Sequence, residues 1–212
     1  MNIYQSIFLA LLIGGSNVAN SDSISEKLSA LLRPIESMSA NFTQQLFDAD
    51  DSEVELFEGV FKLAKPGKML WHIKQPMEQK LVSDGEVLWI YDPDLEQVVI
   101  ESFADKIKST PIALFNGQVA DLDTRYTITQ QHTERSTEIF TLSPKDTSSL
   151  FSRIDITFVD SVPQSIAVID TFEQRTLIVF DKLSVNPLFD PSIFSFIIPN
   201  QVDVINNVRW SI

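Results

Sequence analysis

The side chains able to do covalent, acid–base or metal chemistry are few and scattered in this chain. It has no cysteine, which removes disulfides, thiolate metal sites, thiol nucleophiles and acylation of a mature N-terminal cysteine. Its two histidines, His72 and His132, sit far apart in strand-like or turn-like segments, neither with a second histidine at metal-ligand spacing. Each reads as a solvated or hydrogen-bonded side chain. The run Asp48-Ala49-Asp50-Asp51-Ser52-Glu53 gathers carboxylates but lacks the central glycine and distal glutamate of a calcium loop, so it reads as a solvated hairpin turn. No Gly-x-Ser-x-Gly elbow, phosphate-cradling loop or dinucleotide fingerprint occurs, and six glycines leave little room for disguised versions. A formal net charge of −13 opposes binding to nucleic-acid phosphate and to anionic headgroups. These observations argue against catalysis, nucleotide use, and a metal or other cofactor.

What the chain has in quantity is apolar and aromatic surface, with fifteen phenylalanines and three tryptophans among 212 residues. Several strand-like runs are apolar on both alternating faces. Leu88 and Ile90 oppose Val87, Trp89 and Tyr91, and Phe140 and Leu142 oppose Ile139. A sheet apolar on both sides must be covered twice or must wrap an apolar ligand. Periodicity alone leaves open a sandwich whose core takes all of these side chains.

The elements that would position this surface follow from the period of the pattern. Residues 1–21 combine a short apolar core, Ile7–Ile13, with small residues before Ser21, and read as a secretory signal peptide cleaved after Ser21. The apolar stretch is shorter than the roughly 20 residues a membrane span requires. No lysine or arginine precedes it, which departs from the usual pattern. The expected organisation is therefore a leader, 1–21, and one domain, 22–212. Ser23-Ile24-Ser25-Glu26 is a capping box opening a helix with an apolar stripe of Ile24, Leu28, Leu31, Leu32 and Ile35, and Pro34 weakens it at its end. From Ala40 the period becomes two, with Phe57-Gly59-Phe61-Leu63, Met69-Trp71-Ile73 and Val87-Trp89-Tyr91. The turns Lys65-Pro66-Gly67, Ser83-Asp84-Gly85 and Asp92-Pro93-Asp94 separate these strands. Strands resume at 126–130, 137–142, 154–159, 164–170 and 176–183, so ten or eleven strands form an antiparallel, mainly β architecture. Between the two groups, Phe103–Gly117 contains a short apolar helix opened by Thr110-Pro111, which should cover something apolar.

The run from Gly59 to Trp71, then Gln75-Pro76, then Leu81-Val82-Ser83-Asp84-Gly85-Glu86-Val87-Leu88-Trp89-Ile90-Tyr91-Asp92-Pro93 resembles the outer-membrane lipoprotein carrier family, LolA. The likeness extends from Phe42-Thr43-Gln44 through Leu95-Glu96-Gln97 and Ser109-Thr110-Pro111 to Phe194–Pro199, essentially the whole mature chain. The resemblance implies an unclosed antiparallel half-barrel of about eleven strands with a lid of short helices over an apolar cavity. It implies a monomeric, non-enzymatic periplasmic carrier that accepts acylated lipoproteins from an inner-membrane lipoprotein-releasing ABC transporter and delivers them to an outer-membrane receptor.

Carried over by position, the family's cavity-lining pattern falls on Met69, Trp71, Ile73, Leu81 and Trp89, with lid positions at Ile112, Leu114 and Phe115. Leu28 and Leu32 of the first helix are further candidates, and plain core packing is the alternative for every one of them. The family commonly has an arginine before the proline of the Lys65-Pro66 turn, where it holds lid-loop carbonyls and keeps the empty cavity shut. Lys65 stands there, a point charge without the planar fork, so a weaker gate, or a merely solvated turn residue, is expected. The rival readings are a LolA-like periplasmic lipid or lipoprotein sensor, a membrane-anchored receptor of the same fold, and a lipid-modifying enzyme. The short tail after Pro199 favours the stand-alone carrier over a sensor with an added domain. The missing cysteine removes the receptor's acyl anchor, and no nucleophile or metal constellation is visible for the enzyme.

Overall fold

The computed structural model describes residues 23–107, 110–116, 119, 121–133 and 136–208, so the expected signal peptide, 1–21, lies outside the described residues. Helix α1, Ile24–Leu32, begins at Ser23, whose hydroxyl accepts a hydrogen bond from the Glu26 N–H at 3.2 Å, as the capping box requires. It buries Leu28 and Leu32 completely, and Ile35 beyond it, while Ile24 at its first turn stays exposed.

Among the described residues twelve strands form one sheet: β1 Ser37–Phe47, β2 Glu53–Ala64, β3 Lys68–Gln75, β4 Gln79–Asp84, β5 Val87–Asp92, β6 Gln97–Ser102, β7 Tyr126–Thr133, β8 Thr137–Pro144, β9 Phe151–Val159, β10 Val162–Asp170, β11 Arg175–Val185 and β12 Asp203–Asn206. Their spatial order is β12-β6-β5-β4-β3-β2-β1-β11-β10-β9-β8-β7. Two antiparallel meanders, β1–β6 and β7–β11, are joined where β1 pairs with β11, Phe42 opposite Phe180 and Phe47 opposite Arg175. β7 and β12 are the two free edges, so the sheet is unclosed. The strand beyond the expected eleven is β12, which lies parallel to β6 with Val204 opposite Val98. Four residues are too few to show an alternation in sequence.

One face of this sheet is concave and apolar. Phe61, Phe140, Leu142, Ile154, Ile156 and Phe180 belong to one core that also takes Leu28 and Leu32 of α1. Over β3–β5 a second, smaller core gathers Met69 and Leu88 under Phe103, Ile107 and Ala113. The covering elements are α2, Phe103–Ile107, a 3-10 turn at Pro111–Leu114, and α3, Leu122–Arg125. The short apolar helix expected from Thr110-Pro111 is that 3-10 turn, which starts after an extended Thr110 (φ −125°, ψ 148°) and is flanked by α2 and α3.

The opposite face is covered where it needs to be. The chain after β11 crosses back over β3 and β4 with a 3-10 turn at Pro191–Phe194. It buries Phe194 and lays the Phe196 ring against Trp89 (6.4 Å between centroids) and Tyr91 (5.7 Å). The two-faced strand β5 is thus covered twice, by the lid and cavity on one side and by this strap on the other.

Candidate functional site

Cross-strand register decides which side chains can share a wall. Paired residues point to the same face, so Phe61 opposite Trp71, Trp71 opposite Leu81 and Leu81 opposite Ile90 form one continuous row across β2–β5. Leu63, Met69, Ser83 and Leu88 form the next. From the other meander, Ile166 opposite Ile178 and Val168 opposite Thr176 bring further apolar groups to the same side. Between these walls, under the lid, is a cavity of about 460 Å³ lined almost wholly by apolar side chains.

Gly59 makes room for a ring that braces that wall. A β-carbon there would lie 2.6 Å from the Phe42 ring and 2.2 Å from the His72 carbonyl oxygen, so only hydrogen fits. The Phe42 ring then lies over Gly59 and packs on Trp71 at 4.1 Å between centroids, tilted by 30°. This contact braces the indole at the cavity wall.

Of the residues singled out from sequence, Met69, Trp71 and Leu81 line the cavity, and Ile112 and Phe115 line it from the lid. The others are placed differently. Trp89 faces the opposite side of the sheet, because it pairs with Val82 rather than Leu81, and its ring packs on Phe196. Ile73 is on the concave face opposite Gly59 but packs against the main core, outside the cavity lining. Leu114 is 1% exposed and anchors the lid turn to that core, as do Leu28 and Leu32 from α1.

Lys65 is also placed differently. Its Nζ lies 3.2 Å from the Arg33 carbonyl oxygen and 3.4 Å from that of Leu32, with Glu36 Oε1 at 3.7 Å. These are the end carbonyls of α1, whose last turn has no basic residue of its own, so Lys65 supplies the C-terminal cation from a neighbouring turn. Among the described residues, no hydrogen bond or ion pair of Lys65 reaches the lid. That contact belongs to Gly67 two residues on, in the left-handed region (φ +72°), whose N–H donates to Asn116 Oδ1 at 2.5 Å. The 65–67 turn therefore touches helix and lid with different residues.

Several lining residues were not singled out in sequence: Phe61, Leu88, Ile90, Phe103, Ile107 and, from the second meander, Ile166, Val168, Ile178 and Phe180. For Leu88 and Ile90 a signal existed. The loop Gly85-Glu86 between β4 and β5 makes Leu81 oppose Ile90, so Leu81 and Trp89 cannot share a face.

Fold and site together define the class: an open β half-barrel with a lidded apolar cavity. The family model "Outer membrane lipoprotein carrier protein LolA" matches residues 33–197. An outer-membrane lipoprotein carrier protein of Hahella chejuensis is 35% identical over 206 residues, 97% of this chain and 98% of its own length. One of Chromohalobacter salexigens is 37% identical over 180 residues, 85% of each chain. The chain belongs to the outer-membrane lipoprotein carrier family, LolA. Its fold is shared by an uncharacterized conserved protein from Thermus thermophilus, with a TM-score of 0.54 over 86% of this chain and 99% of the other at 9% identity.

Proposed function

We propose that this protein is a periplasmic carrier that shelters the acyl chains of lipoproteins against Met69, Trp71, Leu81, Ile112 and Phe115. It takes them from an inner-membrane ABC transporter and hands them to an outer-membrane receptor. The observation that carries this reading is the apolar cavity between the two meanders, in a chain whose curated relatives are named lipoprotein carriers. At about 0.8 kcal/mol per buried methylene, each long acyl chain costs on the order of 10 kcal/mol to expose to water, so free passage between membranes is negligible. Among the described lining residues only Lys106, Thr110 and Thr176 are polar. Such a wall suits holding a lipid rather than converting it. With no nucleotide motif in the chain, the energy for loading must come from the donor, and release must rest on tighter binding by the receiver.

The test is displacement. The purified chain should bind an environment-sensitive apolar dye in the cavity, and an acylated lipoprotein should compete it off while the same lipoprotein without its acyl chains does not. Equal competition by the two forms, or no dye binding, would refute the reading.

A further inference from the structure

Lys106 is the one charged side chain among the described residues lining the cavity, and acyl-chain carriage alone leaves it without a task. An acyl chain joined to protein through an ester or amide has no ionised head, so an ammonium at the cavity wall has nothing in such cargo to pair with. Lysine is also the strongly hydrated cation, and placing it against apolar surface is unfavourable unless something compensates.

The geometry shows how the ammonium is held. Glu101 pairs with Leu88 across β5 and β6, and since Leu88 lines the cavity, the Glu101 carboxylate lies on the cavity side of the sheet. Glu101 Oε2 is 2.7 Å from Lys106 Nζ. That oxygen is buried, and the ammonium is the partner within ion-pair distance of it. The other oxygen, Oε1, accepts from Asn207 Nδ2 at 3.3 Å. The Glu101 side chain is 13% exposed and that of Lys106 56% exposed, so the lysine is tethered on its inner side and open on its outer side. It marks the mouth of the cavity. Thr110, also lining the cavity, spends its hydroxyl proton on the Ile107 carbonyl at 3.0 Å, which leaves the Thr176 hydroxyl and the lysine as lining donors, the lysine being the one that carries charge for an incoming anion.

A ligand matching this arrangement has one apolar tail and one anionic end. The volume agrees, because about 460 Å³ falls in the range of roughly 300–1,000 Å³ that pockets offer one small ligand. We propose that the cavity also binds free fatty acids, the tail lying along Met69, Leu88 and Ile178 and the carboxylate on Lys106 Nζ beside Glu101. The proposal rests on the reading of the cavity as an acyl-chain site and adds a second ligand class to it. Because Glu101 already faces the same ammonium, the incoming carboxylate shares it, and neutralising Glu101 strengthens the site.

The experiment uses the dye-loaded purified chain, with laurate and dodecanol as competitors of equal length, below their aggregation limits. The quantity read is the ratio of the laurate to the dodecanol half-displacement concentration. Lys106→Met, which keeps the apolar stem, should raise that ratio about tenfold, the scale of one charge-assisted hydrogen bond. Glu101→Gln should lower it several-fold. Thermal melts confirm that both variants fold. If laurate and dodecanol both displace the dye but the ratio is unmoved in both variants, the cavity reading stands and the fatty-acid site is wrong. If dye binds to no form, both fall.

Discussion

Trp71 and Trp89 occupy equivalent alternating positions in β3 and β5, yet one lines the cavity against Phe42 and the other packs on Phe196 across the sheet. The division of labour between them makes opposite predictions. Met69, in the same strand and on the same face as Trp71, is 5% exposed, and Met69→Glu places a carboxylate in the apolar wall at a cost of several kcal/mol unless it protonates. Dye affinity should fall at least tenfold at neutral pH and recover in part as the pH is lowered through the raised carboxyl pKa. A variant with unchanged affinity would place Met69 outside the binding surface. Trp89→Ala should leave dye affinity near that of the parent but loosen the strap, costing about 0.5–1.5 kcal/mol for the lost aromatic contact beyond its buried area. Limited proteolysis, with new cleavage between residues 187 and 199, is the readout. The alternation of both tryptophans was legible in the sequence. The choice of face does not follow from alternation, because it depends on which residue of the preceding strand each opposes, and for Trp89 the two-residue Gly85-Glu86 loop is the one sequence signal that carries it.

At the scale of elements, the 65–67 turn is the junction to perturb, since it bonds the end of α1 through Lys65 and the lid through Gly67 and Asn116. Removing one hydrogen bond of this kind costs about 1 kcal/mol. Asn116→Ala should therefore speed dye entry several-fold, measured by stopped-flow mixing, with little change in melting temperature. Lys65→Leu should do the reverse, lowering the melting temperature by a few degrees while dye entry keeps its rate, because its contacts among the described residues are with the end of α1 and with Glu36 beyond it. Faster entry in Lys65→Leu and none in Asn116→Ala would restore the lysine as the gate. Helix α1 was readable from Ser23 and Glu26 because its cap is a local contact. The lid was readable as apolar and Pro-initiated, but its division into three pieces and its anchoring by Leu114 depend on what lies beneath it.

For the whole molecule, the meanders were legible because hairpin partners are close in sequence, whereas the pairing of β1 with β11 and of β12 with β6 joins segments far apart in the chain and leaves no local trace. That β1–β11 seam also sets a timetable. Each meander can zip from its own hairpins, but the seam joins residue 47 to residue 175, and it must close a loop spanning most of the domain before it returns any contact energy. The rate of folding should therefore be governed by the seam and not by either meander. Phe42→Leu and Phe180→Leu, on facing seam positions, should slow refolding from urea in proportion to the stability they remove. Phe140→Leu, buried between β8 and β9, should act mainly by speeding unfolding. Chevron plots of the three variants distinguish the two patterns. The same ladder that holds the two walls of the cavity together is thus made at the rate-limiting step, and the cavity takes shape around it only once that step is passed.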